Sequence, residues 1–204
     1  MIATQNQNTR TQLRKTLRQQ RRALSTELQH QHAQKLTRQL CRHAIYRIAK
    51  RIGLYLPTDG EIDTTYLIEK AWREKKRVYL PVIPKFGRAL FFAPYKPNSL
   101  MQANRFGISE PVCSSHQWLR ARQLNLILLP LVAFDAQGNR LGMGGGFYDS
   151  SLSFTRYRKQ NHSPTLIGLA HELQKVPQLP CESWDIPLNA VATEATLYKF
   201  GKKQ

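Results

Sequence analysis

Leu126-Ile-Leu-Leu-Pro-Leu-Val-Ala-Phe-Asp135-Ala-Gln-Gly-Asn-Arg140-Leu-Gly-Met-Gly144-Gly-Gly-Phe-Tyr148-Asp149 decides how this chain is read. Its opening residues form an unbroken apolar run, as a strand buried on both faces requires. A polar loop with five glycines, an arginine and two aspartates follows. Glycine tolerates positive φ and lets a ligand come close to the backbone. Successive exposed amides in such a loop form a concavity for anions, and a helix starting at its end adds a positive dipole terminus. Arg140 supplies a planar fork suited to phosphate oxygens. Asp149 is a hard oxygen donor of the kind that holds magnesium between protein and phosphates. The pattern suits a nucleoside triphosphate. It is not a Walker A loop, because no Gly-Lys-Ser/Thr follows, and Phe147 stands where the dinucleotide fingerprint needs its last glycine. A plain strand-to-helix turn is the alternative.

Outward from this stretch, strand and helix signals alternate. Residues 51–56 form a strand ended by Pro57 and the turn Thr58-Asp59-Gly60. Asp63 can cap a helix over 64–76. Strands are expected over 75–81 and 89–95, and an irregular stretch over 96–123 with a short helix near 115–122. The central strand is 124–129, followed by a helix over 146–158, a strand over 165–170 and a last short one at 191–193. This alternation predicts an α/β layered sheet with Rossmann-like topology in a single domain, residues 1–204. Ligands of open α/β sheets sit beyond the carboxyl ends of the strands. The polar, glycine-bearing segments Leu56–Glu61 and Pro130–Asp149 occupy those ends.

Residues 1–48 are expected to be a basic helical extension packed on the core of residues 50–200. Leu13, Leu17 and Leu24 recur at helical spacing over 10–24, beside a cationic stripe of Arg10, Arg14, Arg18 and Arg21. Ser25 can cap a second helix running to residue 48, with Glu27 in its first turn. The net charge is +18 over 204 residues, and residues 1–50 contribute eleven Lys and Arg against Glu27 alone. Such a charge favours anionic partners, nucleotides among them, although a basic helix is also commonly just a solvated face. No apolar run is long enough to span a bilayer and no signal-peptide core is visible, so a cytoplasmic location is expected. Cys41, Cys113 and Cys181 are dispersed, which suggests neither a disulfide framework nor a zinc site. His30-x-His32 is a weak metal pattern, more in keeping with a solvated helix face.

The pieces together resemble the 5-formyltetrahydrofolate cyclo-ligase family. The resemblance rests on Arg10-x-x-x-Arg14, Arg21-Arg22-Ala-Leu-Ser25, Leu56 to Glu61, the segment from Pro130 to Asp149, and Glu182-Ser-Trp-Asp185-Ile-Pro. Its most specific part is Arg140-Leu-Gly-Met-Gly-Gly-Gly-Phe-Tyr-Asp149. The family has lysine commonly at the position of Arg10, and often within the glycine run, where Gly145 stands here.

The resemblance implies an ATP- and Mg2+-dependent closure of 5-formyltetrahydrofolate to 5,10-methenyltetrahydrofolate, releasing ADP and phosphate through a phosphorylated formyl imidate. It gives ATP contacts to Arg10, Arg14, Arg140, Leu141, Gly142, Met143, Gly144, Gly145, Gly146, Phe147 and Tyr148, with Arg140 and Tyr148 catalytic. It gives folate contacts to Tyr55, Leu56, Glu61 and the run Met143, Gly144, Gly145, Gly146, Phe147, with Tyr55 and Phe147 as stacking candidates. Mg2+ falls to Asp149 and Asp185, although Asp149 could also cap the following helix and Asp185 could only fix its turn. The folate, with or without a polyglutamate tail, is the expected partner, and a monomer is the expected state. Two rival readings are a nucleic-acid-binding module built on the basic helices and an idle relative that stores folate. The chain carries no recognised nucleic-acid motif and no aromatics interleaved with its basic residues.

Overall fold

The computed structural model describes residues 2–156 and 164–201. In chain order the elements are α1 (Ile2–Arg22), α2 (Thr26–Arg42), α3 (Ala44–Ile48), β1 (Arg51–Gly53), α4 (Thr65–Arg73), β2 (Arg77–Val82), β3 (Phe91–Tyr95), β4 (Met101–Ala103), β5 (Ser109–Pro111), β6 (Leu119–Arg120), β7 (Leu126–Pro130), β8 (Ala133–Phe134), β9 (Arg140–Leu141), α5 (Phe147–Leu152), β10 (Thr165–Leu169), β11 (Ala190–Ala192) and β12 (Leu197–Lys199). The main sheet has the order β12-β11-β10-β7-β1-β2-β3-β6. Its five central strands are parallel, and β12, β3 and β6 add antiparallel edges.

Strand β7 lies at the centre because its sequence can be buried on both faces. Leu126 and Leu128 point into one apolar layer, shared with Leu36, Leu40, Tyr46, Leu67 and Ala71 of the helices on that side. Ile127 and Leu129 point into the other, with Phe92, Phe134, Leu152 and Val191. The chain winds one way from β1 to β2 and the other way from β7 to β11. The switch point therefore lies between β1 and β7, where α/β sheets place ligands.

Helix α1 does not join either layer. Leu17 packs with Val132, Ala133, Leu141 and Leu179, and half-buried Leu13 packs against that group. The helix is thereby seated over the β8–β9 hairpin, its basic stripe turned toward the strand ends rather than toward solvent.

Several sequence expectations are corrected. The helix expected over 26–48 breaks at His43, whose backbone is extended and whose ring accepts a hydrogen bond from Ile45 N. The break lets α3 carry Tyr46 into the core, where it is 1% exposed. Asp63 does accept from Thr65 N, but α4 ends at Arg73. The stretch 96–123 holds the β4–β5 hairpin, closed by Asn104, which accepts from Phe106 N and Ile108 N and donates to Glu110. The helix expected over 146–158 stops at Leu152 and continues as a 3-10 turn over Ser153–Arg156; its last two residues lie outside the described segments. The short strand expected at 191–193 is Ala190–Ala192, paired with an unforeseen antiparallel β12.

Candidate active site

Beyond β7 the chain first turns back on itself. Buried Asp135 organises this turn: Oδ1 accepts from Gln137 N and Asn139 N, and Oδ2 accepts from Asn139 Nδ2 and Leu179 N. The β8–β9 pairing then delivers Arg140 and Leu141 to the start of the glycine run. Gly144 and Gly146 have φ of 101° and 68°, conformations that favour glycine. Gly146 immediately precedes α5, so the exposed backbone of residues 143–145 leads directly into a helix start.

Two guanidinium groups border this run. Arg14 donates from Nε to Gly142 O at 2.9 Å. A Cβ added at Gly144 would sit 3.6 Å from Arg14 Cζ, and one at Gly146 would sit 3.6 Å from Arg88 Nη1. Arg88 lies in the exposed loop between β2 and β3, where nothing in its sequence surroundings singles it out. Phe106, at the tip of the β4–β5 hairpin, meets Phe147 edge-on with ring centroids 6.0 Å apart. The apolar side chains of Met143 and Phe106 are exposed here.

Arg140 behaves differently from the expectation. It is 7% exposed. Its Nη2 donates to Asp149 Oδ1 at 2.7 Å and its Nη1 to Ile186 O at 2.9 Å. Burial holds this guanidinium below its usual range, and the neighbouring charges of Asp149 and Asp185 oppose that effect. As placed, Arg140 braces Asp149 from beneath the loop. Asp149 also accepts from Ile186 N through the same Oδ1, so Oδ2 takes part in neither bond.

Asp185 is engaged on both oxygens. Arg10 donates to Oδ2 at 2.8 Å and to Oδ1 at 3.2 Å, and Glu182 N donates to Oδ2 at 2.9 Å. The turn-fixing alternative is therefore what the structure displays, with Arg10 clamped to it. The Arg10 guanidinium is held above its usual range, first by its hydrogen bond to Asp185.

The other wall is the segment after β1. Glu61 is nearly buried and accepts from Thr58 N at 3.1 Å; Arg21 approaches it to 3.8 Å. Burial raises its carboxyl pKa against the pull of Arg21. Tyr55 lies in the core with its hydroxyl donating to Ile62 O, so its ring forms part of the scaffold under this segment and is not open for stacking. Tyr148 is half-buried. Burial, and next the charge of Glu61, push its phenol well up. The same charge acts on Tyr55, after burial.

Arg21 and Asp59 make the largest connection that the sequence did not signal. Arg21 is wholly buried, donating to Asp59 O and to Asp59 Oδ2 at 2.7 Å each and to Leu131 O at 3.2 Å. Asp59 also takes Arg18 and Arg22. This cluster ties α1 to the Glu61 turn and to the end of β7. The positive φ of Asp59, 56°, was foreshadowed only by the Asp-Gly pair.

The residues present fit a nucleoside triphosphate with magnesium at one carboxylate. The glycine run offers exposed backbone where side chains would intrude: a Cβ at Gly145 would lie 2.8 Å from the Phe147 ring. Asp149 offers a hard oxygen donor outside its existing bonds. Asp185 as arranged does not, since both oxygens serve Arg10.

Comparisons with known proteins follow the same line. A family model described as 5-formyltetrahydrofolate cyclo-ligase family matches residues 6–194. A 5-formyltetrahydrofolate cyclo-ligase of Haemophilus influenzae is 44% identical over 184 residues, covering 90% of this chain and 96% of the relative. That of Escherichia coli K12 is 41% identical over 185 residues, covering 90% of this chain and all of the relative. The solved structure of Aquifex aeolicus 5,10-methenyltetrahydrofolate synthetase superposes with a TM-score of 0.79 at 28% identity, over 96% of this chain and 94% of that one. A two-sided α/β sheet, a glycine run at its switch point and likeness over nearly the whole length agree: the chain belongs to the 5-formyltetrahydrofolate cyclo-ligase family.

Proposed function

We propose that the chain closes 5-formyltetrahydrofolate to 5,10-methenyltetrahydrofolate at the expense of ATP. The formyl oxygen attacks the terminal phosphorus and ADP leaves. The resulting imidoyl phosphate is electrophilic at carbon; nitrogen 10 attacks it, and phosphate departs with the former formyl oxygen. Phosphoryl transfer of this kind asks the protein chiefly for alignment and charge neutralisation. One observation carries the reading. The glycine run and the Glu61 turn, which leave the sheet on either side of its switch point, are brought together under a helix whose arginines face them.

In this reading Arg14, Arg88 and the amides of residues 142–146 hold the triphosphate. Arg10 adds charge from its clamp on Asp185. Asp149 is the residue that would hold magnesium, which would supply charge neutralisation for the transferred group. Arg140 is a positioning residue that fixes Asp149. Glu61 accepts from pterin N–H groups beside Leu56, and Met143, Phe147 and Phe106 cover the apolar part of the folate. Tyr148 stays protonated and can donate its O–H between the two ligands. The site uses backbone dipoles, guanidinium groups and the carboxylates of Asp149 and Glu61, as a positioning enzyme requires.

The test is phosphate release from Mg-ATP with and without 5-formyltetrahydrofolate, together with the near-ultraviolet absorbance of the bridged product. Release dependent on the folate and stoichiometric with product is expected. Arg14→Ala should raise the KM for ATP at least about tenfold, the scale of one charge-assisted phosphate contact, while the fold persists. Folate binding without nucleotide turnover would leave the storage reading standing instead.

A further inference from the structure

Beside Gly60, three side chains from three parts of the chain converge without serving the site described above. His32 of α2, His171 after β10 and Glu194 after β11 place one ligand atom each within 4.8 Å of one another. The two Nδ1 atoms are 2.9 Å apart, and His32 Nδ1 lies 3.4 Å from Glu194 Oε1. We infer that His32, His171 and Glu194 form a binding site for a divalent transition-metal ion of the zinc class, taken by the two Nδ1 atoms and a Glu194 oxygen.

The hydrogen bonds around the trio orient it for that task. His171 Nε2 lies 3.2 Å from Gly60 O. A carbonyl only accepts, so Nε2 carries the proton and the Nδ1 lone pair faces His32. This is the arrangement that fixes a metal-binding imidazole, its far nitrogen donating to a backbone carbonyl. Glu194 is held likewise, both oxygens accepting from Glu172 N at 3.2 and 3.0 Å. His32 Nδ1 now donates to His171; with an ion present, its proton moves to Nε2 and both lone pairs meet the metal. Two nitrogens on one tetrahedral ion, each at about 2.0–2.1 Å, stand roughly 3.3 Å apart. The imidazoles need to separate by only a few tenths of an ångström.

Two imidazoles and a carboxylate with a fourth position open to water is a ligand set that zinc takes readily. The side chains of His32 and Glu194 are 16% and 14% exposed, which leaves a way in for the ion and room for that water. Arg21, whose charge reaches His171, is itself paired with Asp59 and Glu61. His30 is not part of the site. Two residues apart on a helix, it turns outward and meets Tyr66 edge-on. The solvated face expected for His30-x-His32 holds for His30 alone; the fold gives His32 its partners from two strand ends.

The experiment uses the full chain without an affinity tag, stripped with a chelator and kept in excess Mg2+ so that the nucleotide site does not compete. Zn2+ is titrated against a chromogenic chelator, and Co2+ is followed by its visible spectrum. One tight equivalent of Zn2+ and the intense bands of four-coordinate Co2+ are expected. His32→Ala and Glu194→Gln should each weaken Zn2+ at least about tenfold, with His30→Ala unchanged. Zn2+ should raise the melting temperature of the wild type and not of His32→Ala. Should His32→Ala fail to fold, Glu194→Gln decides alone. Absence of a tight equivalent, or equal affinity in His30→Ala and Glu194→Gln, overturns the site and leaves the trio a hydrogen-bonded strut.

Discussion

Asp59 shows how one carboxylate can organise a site it does not belong to. Burial pushes its carboxyl up, but hydrogen bonds from Arg18, Arg21 and Arg22 outweigh this and hold it at about 2. A depressed carboxyl contributes stability that is present above its unfolded value near 4 and lost as pH falls toward 2. The shift corresponds to about 2 kcal/mol. Asp59→Asn removes it and leaves the wholly buried Arg21 with one charged partner fewer, so a loss of about 3 kcal/mol at neutral pH is expected. Urea unfolding across pH 2 to 7 would check both parts: the wild type should weaken through the acid window and the variant should stay nearly flat. Equal slopes would show that the cluster is not the source. Arg140 teaches the complementary lesson. Its place in the motif pointed to phosphate, yet burial and its bonds make it the brace of Asp149. Arg140→Ala should therefore cost stability as well as turnover, whereas Arg14→Ala should cost turnover alone.

At the scale of elements, α1 is one side of the proposed site, and Leu13 and Leu17 hold it there. Leu17 is buried against Val132, Ala133 and Leu141 at the root of the glycine run. Leu17→Ala should cost about 2–3 kcal/mol and loosen Arg10 and Arg14 together. Its KM for ATP should rise more than that of Arg14→Ala, while kcat at saturating ligand falls less. A variant with lowered melting temperature but unchanged KM would mean that α1 holds the fold and not the nucleotide. The apolar periodicity of α1 was legible because it is local. The break at His43 was not, since no proline or glycine marks it and the gain is burial of Tyr46, a tertiary effect. The hairpin of β4 and β5 was hidden for a similar reason. Its strands are three residues each, and Asn104 and Glu110 hold it through contacts that no period encodes.

For the molecule as a whole, the charge of +18 now has a partial account. Arg10, Arg14, Arg18 and Arg21 do not form a solvated face; each is bonded to a distant part of the chain at the mouth of the strands. A field concentrated there should draw in anionic ligands. Between about 0.01 M and about 1 M salt the screening length falls from about 30 Å to about 3 Å, and kcat/KM should drop at least about tenfold. A salt-independent kcat/KM would refute steering. Ligand occupancy should also report on the whole fold: Mg-ATP at a hundred times its Kd adds about 2.7 kcal/mol, roughly 5–10 °C in melting temperature. No helix among the described residues is long and apolar enough to cross a membrane. By itself the sequence determined the α/β alternation, the central strand and the glycine run, because these follow from patterns within a few residues and from backbone freedom. Only the tertiary structure decided which arginines face the cleft, which one is buried beneath it, and that His32 meets His171 and Glu194. Those outcomes depend on side chains far apart in the chain competing for the same partners, and distance in space is not written in local order.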